Sequence, residues 1–304
     1  DVIDNYFGTK VPDPYRWLED DKSAETAAWV KEQNKVTFDY LGAIPYRQEI
    51  KLRLEKMWNF EKYTFPQKEG IYTYFSRNDG LQNQFVVYRQ KNNSDPEVFL
   101  DPNKFSADGT TSLGEMEFTK DGSKVAYSVS EGGSDWRKVI VLDAETKDII
   151  GDTLKGIKFS GLSWQANEGF YYSSYDKPKG SELSAITDHH KLYFHKLGTI
   201  QTEDKVVFGS DIVRRYVSGT VTEDGRYLVV NASVSTTGNE LYIRDLRKPG
   251  NKFTTVVGNF NNDHSVLDND GSKLYIVTNL NAPDKRVITV DAENPGVENW
   301  VDLI

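Results

Sequence analysis

A glycine flanked by turn residues recurs through most of this 304-residue chain at intervals of about 50 residues. An acidic residue precedes each glycine, and a segment rich in β-branched and aromatic residues follows it. The spacings between successive glycines are 52, 47, 56 and 46 residues. The repeated glycines are Gly70, Gly122, Gly169, Gly225 and Gly271. A period of this length, with a turn between two strands, is typical of the blades of a β-propeller.

Each repeat is long enough for the four strands of one blade. The strands expected after the glycines are 71–75, 125–129, 170–172, 227–230 and 274–277. A second strand is expected in each unit at 85–89, 138–142, 191–195, 240–244 and 286–290. A β-sandwich also has frequent turns, but it does not predict five units with one internal spacing. The pattern therefore predicts a mostly β fold with about five blades and favours it over a sandwich.

The beginning of the chain has a helical pattern instead. Ser23 is a candidate N-cap for a first helix that Gly42 would end. A second amphipathic helix is expected to end near Asn59. The sequence therefore predicts two parts, an N-terminal helical segment at 1–65 and a propeller part at 66–304.

Composition excludes several classes of protein. Lys and Arg number 37 and Asp and Glu number 46, so the net charge of −9 argues against binding to nucleic acid or to an anionic membrane surface. The longest apolar runs are about four residues, far short of the roughly 20 that a membrane-spanning helix needs. The chain has no Cys, which removes disulfides, thiol nucleophiles and Cys-ligated metal sites.

No motif in the sequence predicts a cofactor or a metal. The chain has four His, and two of them, His190 and His195, are five positions apart on one predicted strand. Side chains at that spacing face opposite sides of a strand, which is poor geometry for one metal ion. The His-Glu-x-x-His and phosphate-loop patterns do not occur. We therefore predict no cofactor and no metal.

Candidate catalytic groups are equally scarce. The Gly-x-Ser-x-Gly turn that exposes a hydrolase nucleophile is missing from the sequence. Carboxylates are abundant, and two of them paired in space could hydrolyse glycosides. The carboxylates considered for this role are Glu19, Asp20, Asp21, Asp101, Asp135, Asp143, Asp211 and Asp270. The residues alone thus leave open a five-bladed glycosidase and a binding propeller without catalysis.

Six segments, in order along nearly the whole chain, carry a resemblance to a known family. They are YFGTKVPDPYRWLED at 6–20, NDGLQNQ at 78–84, VFLDPN at 98–103, GSDW at 133–136, KFSGLSW at 158–164 and KLYFHKLG at 191–198. Together they resemble the N-terminal part of the prolyl oligopeptidases, in particular the bacterial branch. The resemblance implies a serine endopeptidase that cuts short peptides after proline, with a seven-bladed propeller that limits substrate size.

The same resemblance implies that this chain is one piece of such an enzyme. The catalytic Ser, Asp and His of the family follow the propeller and are expected after residue 304, in an α/β-hydrolase domain. About five of seven blades would then be present, and the chain alone would be inactive. The helices would be the surface that the hydrolase domain covers, so we expect Trp29, Ile50, Leu54 and Trp58 to be exposed. Export to the periplasm, common in the bacterial branch, is also expected.

Two propeller residues are carried over from the family as substrate contacts. Phe159, in the KFSGLSW segment, matches an aromatic residue that reaches from the propeller to the peptide, and Tyr216 matches an apolar position near the same pocket. Blade packing is the alternative role of Phe159. Some members have a peptide-contacting Arg where this chain has Asn231-Ala232-Ser233, so the resemblance does not supply that contact.

Overall fold

The computed structural model describes residues 2–92, 94–177, 183 and 187–304. It divides into two compact units. The first comprises Asp1–Lys62, Asn78–Gln82 and Lys177–Ile186, and the second comprises Tyr63–Arg77, Asn83–Asp176 and Thr187–Ile304. The sequence predicted a domain boundary after residue 65. That boundary stays a prediction.

The first unit contains a β-hairpin and two helices. The hairpin pairs β1 (Val2–Tyr6) with β2 (Thr9–Asp13) in antiparallel register. Helix α1 spans Ala24–Gly42 and helix α2 spans Arg47–Trp58, after a short 3-10 turn at Arg16–Glu19. Both predicted helices are therefore present, and neither helix is long and apolar enough to span a bilayer within the part of the chain that the structure describes.

Both ends of α1 lie at the expected residues. The Ser23 hydroxyl oxygen accepts a hydrogen bond from the Thr26 backbone N–H at 3.0 Å, which confirms the N-cap. Gly42 is the last helical residue, but the residue after it, Ala43, is right-handed with φ −79°. The helix thus ends near the glycine without the left-handed turn that a glycine cap supplies.

The apolar side chains of the helices are largely uncovered. Thr26 is the buried residue of α1, and all 12 residues of α2 are at least partly exposed. The four residues expected to be exposed retain 40–64% of their accessible surface. They are Trp29, Ile50, Leu54 and Trp58. The expectation of an uncovered helical face is confirmed.

The strands after the helices form five consecutive antiparallel sheets, which we call blades 1 to 5. Blade 1 contains β3 (Lys62–Tyr63), β4 (Gln67–Glu69), β5 (Tyr72–Asn78), β6 (Val86–Lys91) and β7 (Glu97–Leu100). Blade 2 contains β8 (Thr111–Phe118), β9 (Lys124–Glu131), β10 (Trp136–Asp143) and β11 (Leu154–Lys158). Blade 3 contains β12 (Ser163–Gln165), β13 (Gly169–Tyr175), β14 (His190–Lys196) and β15 (Lys205–Phe208).

The last two blades have the same order of four strands. Blade 4 contains β16 (Tyr216–Val221), β17 (Tyr227–Ser233), β18 (Glu240–Asp245) and β19 (Thr254–Val257). Blade 5 contains β20 (His264–Asp270), β21 (Lys273–Thr278), β22 (Arg286–Asp291) and β23 (Val301–Asp302). Each of blades 2 to 5 is a meander in which sequential strands pair. The mostly β, partial-propeller fold class is confirmed.

Four of the five repeated glycines have φ between 58° and 72°. Gly70 lies in the turn between β4 and β5, and the other three lie in the turn between the first two strands of blades 2, 4 and 5. That left-handed conformation is cheap for glycine and costly for other residues. Gly169 differs, because it is the first residue of β13 and the left-handed residue of that turn is Ala166, with φ 49°. A Cβ on Gly169 would lie 2.1 Å from the His195 carbonyl oxygen, so close strand packing explains this glycine. The expectation that all five are equivalent is therefore wrong at one position.

The core lies between successive blades. Four clusters of buried side chains join blade 1 to 2, 2 to 3, 3 to 4 and 4 to 5. Alternate residues of one strand serve different neighbours, as the period of two in a strand requires. On β13, for example, Phe170 and Tyr172 pack toward blade 2, whereas Tyr171 packs toward blade 4. Every interior blade thus needs apolar residues on both faces.

Candidate functional site

Phe159 directly follows the last strand of blade 2 and has an unusual backbone. Its backbone φ is 52°, and 48% of the residue's surface is exposed to solvent. A left-handed conformation costs a bulky L-residue about 1–3 kcal/mol and persists only where the surroundings impose it. About half of the residue is covered by its neighbours, so blade packing stays the alternative role of Phe159.

Two aromatic rings, from the strands β13 and β16, lie beside Phe159, and we call Phe159, Tyr175 and Tyr216 the aromatic cluster. The Phe159 centroid lies 5.9 Å from that of Tyr216 and 6.3 Å from that of Tyr175, both in edge-to-face arrangements. These separations lie in the favourable range for aromatic pairs. The structure therefore brings together the two residues that sequence reasoning selected, although blade 3 separates them along the chain. Their role in substrate contact stays a prediction.

A buried cation lies beside the cluster. The Lys158 ammonium is 5.1 Å from the Phe159 centroid and 5.1 Å from that of Trp136, and Lys158 is 8% exposed. Trp136 and Lys158 are directly paired across β10 and β11, which places the ring beneath the ammonium. Trp136 is the last residue of the GSDW segment, so that turn contributes a cation–π partner next to Phe159.

His190 lies beneath the aromatic cluster and is completely buried. Its ring stacks on Tyr175 with a centroid distance of 4.3 Å. Burial lowers the pKa of His190 to about 4, so the imidazole is neutral at physiological pH. Sequence reasoning treated this His as an ordinary strand residue. His190 begins β14 and lies between Phe159 and Tyr216 in the chain. That position was a weak sign in the sequence that His190 lies near them.

His195 and Asn231 form hydrogen bonds with neighbouring side chains of the blades. The Nδ1 atom of His195 is 2.9 Å from an Asp204 oxygen, and Asp204 also accepts a hydrogen bond from the Tyr172 hydroxyl at 2.8 Å. Asn231 accepts a hydrogen bond from the Asn239 side chain at 3.0 Å. Within the described residues, no group of three or more His, Asp or Glu side chains is arranged to hold a metal ion.

The carboxylates considered for glycoside hydrolysis include several that cap their own turns. Asp143 accepts hydrogen bonds from the backbone N–H groups of Glu145 and Thr146, both at 2.9 Å. Those bonds hold the pKa of Asp143 below its ordinary value. Asp101 accepts from the Asn103 N–H at 3.2 Å in the same manner. A carboxylate held ionised by turn amides is unsuited to the general acid that glycoside hydrolysis requires.

Sequence reasoning overlooked the acidic side chains of β8. Burial, together with the nearby Glu115 and Glu69 carboxylates, raises the pKa of Glu117 to about 7. Burial also raises the pKa of Glu115, whose carboxylate accepts a hydrogen bond from the Leu162 N–H at 3.4 Å. Burial within the blades causes both pKa shifts. Because the shifts exist only in the folded chain, they make its stability depend on pH.

Comparison with known proteins agrees with this architecture. The family model for the N-terminal β-propeller domain of prolyl oligopeptidase matches residues 1–304. The chain is 54% identical over 303 residues to the prolyl endopeptidase of Elizabethkingia meningoseptica, covering 99% of this chain and 43% of that protein. It is 32% identical over 335 residues to prolyl oligopeptidase A of Amanita bisporigera, covering 97% of this chain and 44% of that protein.

Solved structures show the same fold. A prolyl endopeptidase studied for inter-domain dynamics in catalysis and specificity superposes with a TM-score of 0.87 at 26% identity, over 100% of this chain and 45% of the other. Prolyl oligopeptidase B of Galerina marginata, bound to a 35-residue substrate, superposes with a TM-score of 0.85 at 29% identity, over 100% and 47%. The chain thus spans less than half the length of these relatives. It belongs to the prolyl oligopeptidase family, as the N-terminal β-propeller domain.

Proposed function

We propose that this chain is the non-catalytic N-terminal part of a serine endopeptidase that hydrolyses short peptides after proline. The observation that carries the proposal is the 54% identity, over 99% of the chain, to a bacterial prolyl endopeptidase of more than twice its length. A chain with no Gly-x-Ser-x-Gly turn of its own would contribute binding rather than covalent chemistry.

The chemistry of such an enzyme would reside beyond residue 304. A Ser would attack the acyl carbon on the carboxyl side of proline, a His would take its proton, and an Asp would orient the His. The proton would then pass from the His to the departing amine. Nothing in this scheme requires a cofactor.

The aromatic cluster would supply apolar contact to the peptide. Half of the Phe159 residue is exposed, so covering its ring with a substrate side chain would remove apolar surface from water. A contact of this size contributes about 1–3 kcal/mol. The backbone strain at Phe159 supports the proposal, since strained positions are concentrated where a side chain must be presented.

The propeller would also limit the size of the substrate. Blades 1 to 5 bury their cores between neighbouring sheets, which makes a stiff wall rather than a deformable one. A site approached past such a wall would admit short, flexible peptides and exclude folded proteins. We therefore expect the full-length enzyme to cleave proline-containing peptides and to spare a folded protein with an exposed proline.

The helices would dock the hydrolase domain. Trp29, Ile50, Leu54 and Trp58 present an apolar surface, and exposed patches of large apolar side chains are typical interaction sites. The partner proposed here is the C-terminal α/β-hydrolase domain of the same protein.

The test compares the full-length gene product with the 304-residue chain on a chromogenic peptide that has proline before the leaving group. The full-length protein should turn over, a serine-directed inhibitor should stop it, and the 304-residue chain should be inactive at every pH. Turnover by the purified 304-residue chain that survives the inhibitor would instead indicate a different peptidase site within these residues. Fractionation of the source cells would test the proposed periplasmic location.

A further inference from the structure

The side chain of His190 links the two backbone segments that present the aromatic cluster. Its Nε2 atom is 2.9 Å from the Lys158 carbonyl oxygen, and its Nδ1 atom is 2.9 Å from the Val217 backbone nitrogen. Lys158 directly precedes Phe159, and Val217 directly follows Tyr216. One imidazole on blade 3 is therefore bonded to the last strand of blade 2 and the first strand of blade 4.

The two bonds define the protonation state of the ring. A backbone N–H can only donate, so the Nδ1 atom facing Val217 carries a lone pair, and the proton resides on Nε2 and is donated to the Lys158 carbonyl. The low pKa of His190, caused by burial, maintains this neutral form. A protonated ring would lose the bond to Val217, because both of its nitrogens would be donors.

Tyr175 reinforces the same link. Its ring stacks on His190, and its hydroxyl donates a hydrogen bond to the Arg215 carbonyl oxygen at 2.6 Å. Arg215 directly precedes Tyr216. His190 and Tyr175 together therefore hold the backbone on both sides of Tyr216 and the residue before Phe159.

We propose that His190 is a positioning residue for peptide binding, which sets the separation and orientation of Phe159 and Tyr216 through its bonds to Lys158 and Val217. The inference rests on the proposed function, since it requires that the aromatic cluster contacts the peptide. Phe159 in its left-handed conformation needs such restraint, because a strained residue relaxes when its surroundings no longer impose the geometry. The ring also stays out of the substrate's reach, because it is fully buried.

The kinetic test is a double-mutant cycle in the full-length enzyme with H190F, F159A and the double variant. Phe preserves the aromatic contact with Tyr175 and removes both hydrogen bonds. With a peptide extended by several apolar residues before the proline, F159A should lower kcat/KM about tenfold, and H190F should lower it about three- to tenfold, mainly through KM. The double variant should lose less than the two single variants combined, since part of the effect of His190 passes through Phe159. With a substrate of proline and one preceding residue, H190F should change KM less than twofold.

Two conservative variants separate the hydrogen bonds. Gln places a donor near the position of Nε2, whereas Asn places an acceptor near the position of Nδ1. H190Q should restore part of the KM for the extended peptide because it can still bond to the Lys158 carbonyl beside Phe159. H190N should restore another part because it can still accept from the Val217 N–H beside Tyr216. The matched control is H189F, whose native side chain bonds to the Gly209 carbonyl at 2.7 Å and which should leave KM unchanged.

Crystal structures of the wild-type and H190F proteins test the inference without relying on turnover. The separation of 5.9 Å between the Phe159 and Tyr216 rings should change by about 1 Å or more, a displacement large enough to impair binding. An unchanged cluster in H190F, or additive effects in the cycle, would overturn the positioning role. If the wild-type protein does not cleave proline peptides at all, the proposed function fails, and the crystal structures still decide whether His190 sets the geometry.

Discussion

The blades of this chain bury their large apolar residues, whereas the helices leave many of theirs exposed. In the blades, Leu228, Leu274 and Ile276 are completely buried, and each belongs to a cluster shared by two neighbouring sheets. In the helices, Leu54 and Trp58 are 54% and 64% exposed. The difference shows that the repeat supplies its own partner surfaces, whereas an amphipathic helix depends on a partner that the local sequence does not provide.

The largest expected contrast comes from two identical substitutions. Leu228→Ala on β17 should lower the free energy of unfolding by about 2–5 kcal/mol, because it leaves a cavity between blades 3 and 4. Leu54→Ala on α2 should change it by less than about 0.5 kcal/mol, because half of that residue is in solvent. Denaturant unfolding of the 304-residue chain measures both.

The same pair in the full-length protein sharpens the contrast. A hydrolase domain that covers the helices would bury Leu54, so Leu54→Ala should then cost about 1–3 kcal/mol. Equal effects of Leu54→Ala in the two proteins would show that the helical face is not that domain's docking surface.

Phe159→Ala tests whether an exposed residue of the blades behaves like the exposed residues of the helices. Its effect on stability should stay below about 1 kcal/mol, because the residue is half exposed. In the full-length enzyme it should lower kcat/KM by roughly tenfold or more, equivalent to about 1–3 kcal/mol of transition-state binding. Steady-state kinetics measures the change, and an unaltered kcat/KM would assign the ring to packing against Tyr216.

The Ser23→Ala variant tests whether the helices unfold independently of the blades. The substitution removes the hydrogen bond to the Thr26 N–H and should cost about 1 kcal/mol. Amide hydrogen exchange should accelerate in α1 and stay unchanged in the blade strands. Thr37→Ala, in the middle of the same helix, is the control that leaves the cap intact. Faster exchange in blade amides as well would show that the two units unfold together.

The smallest expected effect concerns pH. The pKa of Glu117 is about 7 in the folded chain against an ordinary value of 4.5, so the folded state binds a proton that the unfolded state has released. Below about pH 4.5 the carboxyl is protonated in both states, and stability falls as the pH rises toward 7. Glu117→Gln should therefore stabilise the chain at pH 8 by on the order of 1 kcal/mol, after allowance for solvent screening, and not at pH 4.

Thermal unfolding of the Glu117→Gln variant at both pH values measures this effect. The matched control is Glu32→Gln on the solvent-exposed part of α1, for which a change of less than about 0.5 kcal/mol is expected. A stabilisation of Glu117→Gln that is equal at pH 4 and pH 8 would contradict the assigned titration.

Much of the fold was predictable because its information is local. The second strands expected at 138–142 and 240–244 are observed as Trp136–Asp143 and Glu240–Asp245, since alternating apolar residues and turn glycines report directly on strand pairing. Gly169 is the exception. A glycine beside a turn signals either a left-handed backbone or a close contact, and the local sequence does not distinguish the two.

The candidate site was only partly predictable. Phe159 and Tyr216 were proposed from family resemblance, one at a time. Tyr175, Lys158 and His190 were overlooked, because each looks like an ordinary strand residue until three blades are assembled. The significance of His190 depends on its bonds to backbone atoms of two other blades, and backbone partners leave no trace in side-chain patterns.

By itself, the sequence determined that this chain forms repeated four-stranded units after two amphipathic helices, because strand period, turn glycines and helix caps act over a few residues. The tertiary structure decided which residues meet. It placed Phe159 on a left-handed backbone, brought Tyr216 to within 5.9 Å of it, and buried a neutral His190 between their backbones. The physical reason is that these contacts join strands far apart in the chain, so their energies exist only after the blades have packed against one another.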